Sequence, residues 1–176
     1  VPYLLRGLKK LEYRGYDSAG IAVLEKGQVR VEKCVGRLDA LRQKLEGNMP
    51  EGVIGIGHTR WATHGRPADR NSHPHTDGSG KFVVVHNGII ENYLALKEEL
   101  IAKGVEFTSD TDTEVVAHLM ADLFDGDMES TVKKVLKVIK GSYSLVFMCE
   151  AEQDKIICTK KDNPLVIGLG EGENFI

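Results

Sequence analysis

Gly57-His58-Thr59-Arg60-Trp61-Ala62-Thr63-His64-Gly65 gathers a guanidinium, an indole, two hydroxyls and two imidazoles directly after the apolar run Val53 to Ile56. A polar loop after a strand is where binding and catalytic residues concentrate, because the sheet holds the loop at a fixed point. A plain solvated loop around a half-buried Trp61, the one tryptophan of the chain, would have the same composition. Two later polar clusters weigh against that bland reading: His86-Asn87-Gly88, and Ser109 to Glu114, which reads SDTDTE.

Upstream of this stretch, Leu4, Leu5, Leu8 and Leu11 predict one apolar side of a helix from Pro2 to Tyr13, with Pro2 in its first turn and Gly15 past its end. RGYDSAG, Arg14 to Gly20, reads as a connector. Ile21 to Leu24 and Val29 to Lys33 read as strands joined by a hairpin at Lys26-Gly27. Leu38, Leu41 and Leu45 repeat at helical spacing before Gly47 and Pro50, and Val53 to His58 is the strand that leads into the loop.

Downstream, Thr59 to Lys81 is polar and lacks periodicity, the mark of a functional or disordered connection. Phe82 to His86 predicts a strand buried on both faces that ends at Asn87-Gly88, followed by a helix over Glu91 to Lys103. Thr111 with Glu114 fits a capping box, which would put Asp112 in the first turn of a helix reaching Phe124. Val132, Val135, Leu136 and Ile139 mark another helix. Strands follow at Tyr143 to Phe147, Lys155 to Thr159 and Leu165 to Leu169. This order is no regular strand–helix alternation, so the fold class is α+β, with largely antiparallel sheets and helices outside them.

The 176 residues make one domain that buries roughly two-thirds of its unfolded surface. A net charge of −3 lacks the excess of Lys and Arg that a nucleic-acid footprint requires. No apolar run has membrane-spanning length and no signal-peptide pattern opens the chain, so no membrane partner is expected. Cys34, Cys149 and Cys158, an odd set at irregular spacing, suit a reducing, cytoplasmic compartment better than a disulfide framework.

Three chemistries were weighed on residue types. Gly168 to Glu173, GLGEGE, lacks a following helix whose N-terminus could face a phosphate, so it reads as a turn. His58, His64, His73, His75 and His86 could assemble a metal site, but no HExxH or paired-Cys spacing supports one, and no metal or organic cofactor is expected. The cysteines lie in predicted strands, where inert thiols are usual, and no Ser sits in a GxSxG elbow. Recognition groups are thus plentiful while an attacking atom is not evident.

At RGYDSAG, GHTRWATHG, HPH, VVVHNGIIEN and SDTDTE the chain resembles the class II glutamine amidotransferases of the N-terminal-nucleophile hydrolase fold. Within them it is most similar to the glutaminase domain of the isomerising enzymes that aminate fructose 6-phosphate. The resemblance runs in order over nearly the whole chain. It implies a four-layer αββα sandwich, L-glutamine as substrate, and a sugar-isomerase domain downstream that would turn fructose 6-phosphate into glucosamine 6-phosphate and make the whole protein a homodimer. In that family the nucleophile is an N-terminal cysteine on a strand ahead of the first helix. Residues 1–176 are therefore expected to be a glutaminase domain truncated at both ends, inactive as it stands.

The same resemblance supplies roles. Asn87 and the Gly88 N–H would form the oxyanion hole; Asn can donate where Asp cannot, and Gly lets a backbone come close. Arg60 would take the α-carboxylate of glutamine, with Thr63 and His64 adding hydrogen bonds, and Asp112 would take its α-ammonium. Trp61 with Gly65-Arg66-Pro67 would form a lid that excludes water. Arg14 lies near the nucleophile in the family but suits a salt bridge at a helix end equally well, and His73, His75 and His86 are site-wall candidates. Another class II amidotransferase, or a glutamine-binding module without catalysis, stays open on the sequence.

Overall fold

The computed structural model describes residues 1–62 and 64–176, and Thr63 lies outside the described residues. Two antiparallel sheets face each other between helices. The first has the order β2-β1-β3, built from β1 (Ser18–Glu25), β2 (Gln28–Val35) and β3 (Gly55–Arg60). The second has the order β4-β5-β6-β7, from β4 (His75–Thr76), β5 (Phe82–Ile90), β6 (Gly141–Cys149) and β7 (Ile157–Lys161). A short hairpin of β8 (Gly168–Leu169) and β9 (Asn174–Phe175) stands apart from both.

Helices α1 (Pro2–Leu11) and α2 (Leu38–Leu45) cover the first sheet, where Leu5, Leu8, Leu38, Leu41 and Leu45 bury against Ile21 and Val23. α1 passes so close to β3 that a Cβ on Gly57 would meet Leu8 Cδ1 at 3.0 Å. Helices α3 (Tyr93–Ala102), α4 (Glu114–Leu123) and α5 (Met128–Val138) cover the second sheet, with Val116, Met120, Val132 and Val135 packed on Val84, Leu145 and Phe147. Between the sheets lies a thin apolar layer of Ala22, Ile56, Val83, Val85 and Met148. The layers therefore run α, β, β, α, as expected.

Several boundaries differ from the sequence reading. The pairing of Ser18 with Arg60 and Val35 draws the end of RGYDSAG into β1, and β3 extends to Arg60, so half of the organising stretch is strand rather than loop. Asn87 and Gly88 do not end their strand: they pair with Ser144 and Tyr143, and β5 continues to Ile90. Only Gly168–Leu169 of the expected strand Leu165 to Leu169 is paired. No helix among the described residues is long and apolar enough to cross a membrane.

Candidate active site

Side chains alternate across a strand, so residues two apart share a face. On β3 the face that carries Ile56 into the inter-sheet layer continues with His58 and Arg60; on β5 the face of Val83 and Val85 continues with Asn87. At this end the apolar filling gives way to polar groups around a cavity of about 520 Å³. Arg60, Trp61, His64, Asn87, Gly88 and Asp112 all line it, as do Arg14, His58, His73, His86 and Asn163. His75 does not; it is buried behind, with Nε2 at 3.1 Å from Thr111 Oγ1. Of the sequence candidates, Arg60, Trp61, His64, Asn87, Gly88 and Asp112 thus meet at one place, while His75 and Gly65-Arg66-Pro67 are not part of its lining.

Arg60 is only 4% exposed. Its Nη2 donates to the carbonyls of His64 and, at 3.0 Å, Gly65, so the guanidinium braces the turn of the loop from inside. Asp17 Oδ1 stands 3.8 Å from Nη1, and the other Asp17 oxygen accepts from the Ala62 N–H. Nη1 itself is buried without a hydrogen-bond partner among the described residues. A buried cationic N–H left open in this way is costly unless a ligand takes it. Burial lowers the Arg60 pKa while Asp17 and Asp112 oppose the shift.

Asp112 precedes α4 and does not lie in its first turn. The helix opens at Glu114, and Thr113, not Thr111, stands at its cap without a side-chain cap bond. The expected capping box is replaced by Glu114 itself, which accepts from the Thr108 and Ser109 N–H groups at 2.9 and 2.6 Å. Although burial pushes the Glu114 carboxyl up, hydrogen bonds from His118, Ser109 and Thr108 hold it well below the usual range. This fastening sets the loop that carries Asp112, whose Oδ2 accepts from the Ile90 N–H at 2.8 Å. Thr113 Oγ1 points at Asp112 Oδ1, 3.4 Å away, and lies within hydrogen-bond reach of His86 Nδ1 at 3.0 Å.

Asn87 and Gly88 are exposed on the cavity side of β5. Asn87 Oδ1 lies 3.0 Å from His58 Nε2, and the Asn87 carbonyl accepts from Asn163 Nδ2 at 3.0 Å. Gly88 adopts φ +129°, a conformation glycine alone takes readily. Trp61 is 61% exposed, with its ring edge-on to Tyr16 at 5.4 Å; the His64 ring meets Tyr93 edge-on at 5.6 Å.

The imidazoles pack on one another rather than converge: the His58 ring lies tilted over His73 at 4.3 Å between ring centres, and His73 meets His75 edge-on at 4.7 Å. Among the described residues no group of three or more His, Cys, Asp and Glu side chains could hold a metal ion. No cysteine lines the cavity, and burial pushes the thiols of Cys34, Cys149 and Cys158 up, away from nucleophilic use.

Asp17 and Asn163 are not among the sequence candidates, and His58 enters there only as a possible metal ligand. Asp17 lies within RGYDSAG, so its motif was visible although its partner was not. Asn163 comes from a turn that only the pairing of β6 with β7 brings beside Asn87.

Residues 58–176 match the family described as glutamine amidotransferase domain. The glutamine–fructose-6-phosphate aminotransferase (isomerising) of Caldanaerobacter subterraneus subsp. tengcongensis is 56% identical over 99% of this chain and 29% of its own length. That of Aquifex aeolicus is 53% identical over 100% of this chain and 30% of its own. The chain thus spans under a third of the curated relatives it matches. Among solved structures, the Bacillus subtilis glutamine phosphoribosylpyrophosphate amidotransferase complexed with ADP and GMP superposes with a TM-score of 0.71 at 30% identity, over 83% of this chain and 32% of that one. A structure of the allosteric regulatory enzyme of purine biosynthesis gives a TM-score of 0.79 at 28% identity, over 93% and 35%. These likenesses agree with the layered fold. The chain belongs to the glutamine amidotransferase domain family.

Proposed function

We propose that this chain binds L-glutamine and forms the glutaminase half of an enzyme that passes the released ammonia to fructose 6-phosphate, giving glucosamine 6-phosphate. The observation that carries the glutamine reading is the buried Nη1 of Arg60, without a hydrogen-bond partner among the described residues, on the same cavity as Asp112. Opposite charges at one cavity fit the α-carboxylate and α-ammonium of a free amino acid. The acceptor and a C-terminal isomerase domain rest on the names and lengths of the relatives above; a homodimeric whole and a cytoplasmic setting are part of the same proposal.

In this reading glutamine lies with its carboxylate on Arg60, helped by Thr63 and His64, and its ammonium on Asp112. Its side-chain amide then points toward Asn87 and Gly88. The attacking thiol belongs to a cysteine outside residues 1–176, because none of the three present lines the cavity and burial pushes their thiols up. A free thiol and an α-amine have pKa values near ~8.5 and ~7.7–8.0, so an amine on the same residue takes the thiol proton near neutral pH. Attack on the amide carbon gives a tetrahedral oxyanion, held by the Asn87 amide and the Gly88 N–H. Collapse releases ammonia and leaves a glutamyl thioester, which water hydrolyses. Trp61 and the Gly65 turn cover the site during these steps.

The test uses the full-length protein with glutamine and fructose 6-phosphate. Arg60→Ala should raise the KM for glutamine, since a charge-assisted hydrogen bond worth about 1.5–3 kcal/mol is lost, while ammonia-supported product formation persists. Unchanged glutamine kinetics would move the carboxylate clamp elsewhere. Product formation with another acceptor but not fructose 6-phosphate would replace the acceptor and keep the glutaminase.

A further inference from the structure

We infer that His58 is the positioning residue that aims the Asn87 amide N–H at the developing oxyanion, by donating from Nε2 to Asn87 Oδ1. The inference rests on the glutaminase reading above. A side-chain amide has two ends that differ only in which atoms accept and donate, and a half-turn about its last bond exchanges them. An oxyanion hole works with Nδ2 facing the cavity and fails with Oδ1 there, because two negative oxygens would then face each other. Something must hold the amide in one of these orientations.

His58 lies 3.0 Å from Asn87 Oδ1 through Nε2. A carbonyl oxygen cannot donate, so Nε2 carries the proton. The other ring nitrogen, Nδ1, is buried and has no partner among the described residues, which suits a bare lone pair better than a stranded N–H. The ring is held at the strand end between the His73 ring, 4.3 Å away, and the inter-sheet layer. Burial pushes its pKa down, as it does for His73, while hydrogen bonds to the Asn87 side chain and the His86 backbone oppose the shift; the neutral ring has one proton to place, and the Asn87 oxygen at 3.0 Å takes it. With Oδ1 so engaged, no acceptor among the described residues takes the Nδ2 protons, and Asn87 is exposed on the cavity. The same bond that satisfies one end of the amide presents the other.

The experiment measures glutamine hydrolysis by the full-length protein. Asn87→Ala should lower kcat about a hundred- to thousandfold, the usual loss for one oxyanion donor. His58→Leu should lower kcat by about ten- to a hundredfold with an unchanged KM for glutamine, because the misdirected donor acts only in the transition state. In the Asn87→Ala background His58→Leu should cost nothing further. His58→Gln, whose amide N–H reaches the Nε2 position, should restore most of the rate, whereas His58→Asn, which is too short, should not. Circular dichroism and thermal unfolding of each variant report folding throughout.

An equal loss from His58→Leu with and without Asn87 would overturn the inference, as would full activity of His58→Leu or of His58→Asn. Full activity of Asn87→Ala would remove the oxyanion hole itself, and the inference with it. Should His58→Leu not fold, nitrogen NMR of histidine-labelled wild-type protein decides. A proton on Nε2 of His58 supports the inference, and one on Nδ1 sinks it.

Discussion

A Cβ placed on Gly88 would stand 2.1 Å from the carbonyl oxygen of Ser142, the neighbour of its strand partner Tyr143. Nothing in a paired backbone can move aside cheaply, and the φ of +129° is itself hostile to a side chain. Gly88→Ala should therefore push β5 from β6 at the point where the Gly88 N–H is needed. The expected result is loss of glutamine hydrolysis by about a hundredfold or more together with a lowered Tm. A variant with native Tm and native kcat would show that this strand gives way without consequence.

Asn71, fully buried, ties two loops together. Its Nδ2 donates to the Arg66 carbonyl at 2.9 Å and to Asp110 Oδ2 at 3.2 Å, and its Oδ1 accepts from the Asp110 N–H at 2.8 Å. The first contact holds the Gly65 turn, the others the segment that bears Asp112. Asn71→Ala removes these hydrogen bonds from the Arg66 carbonyl and the Asp110 N–H, at about 0.5–1.5 kcal/mol each. Urea unfolding should show that loss, and the KM for glutamine should rise while kcat changes less.

Burial lowers the pKa of His58, His73, His75 and His86, the last to about 4 despite the raising influence of Asp112. In the unfolded chain these rings titrate near ~6.5. Below that pH the unfolded state binds protons that the folded state refuses, so stability falls as pH drops from ~6.5 toward about 4. Each such group contributes up to about 1.4 kcal/mol per pH unit. Glu114, held below its ordinary value, extends the loss to lower pH, below its unfolded pKa. Urea midpoints between pH 7.5 and 4.5 should fall steeply below ~6.5. A flat profile would mean that the imidazole column is already charged when folded.

Asp127 caps α5 by accepting from the Ser130 N–H at 2.6 Å. The helix is remote from the cavity, so Asp127→Ala should cost about 1 kcal/mol of stability and leave the glutamine kinetics unaltered. Paired denaturation and activity measurements check both halves of the statement.

Helix faces and the buried strand at Phe82 were legible because apolar spacing records which side of an element is covered. Gly57 to Gly65, His86 to Gly88 and Ser109 to Glu114 could be read as one site by their likeness to a family, and these segments do meet at one cavity. What escaped was pairing. Asn87-Gly88 looks like a turn in one dimension, and only the ladder with Ser144 and Tyr143 keeps it in a strand. Thr111 to Glu114 looks like a capping box, yet Glu114 turns back to Thr108 and Ser109 and displaces the helix start. The His58–Asn87 contact joins two sheets, and no local pattern encodes such a meeting.

The layer of Ala22, Ile56, Val83, Val85 and Met148 is a shim between two jaws. Ile56 lies two residues before His58, and Val85 two before Asn87, so any methylene added or shaved there alters the gap across which the reacting groups must meet. A misplacement of about 1 Å can slow a reaction about a hundredfold. The least reactive side chains of the chain thereby share control of its rate, and drift in them is tolerable only when one filler shrinks as its neighbour grows.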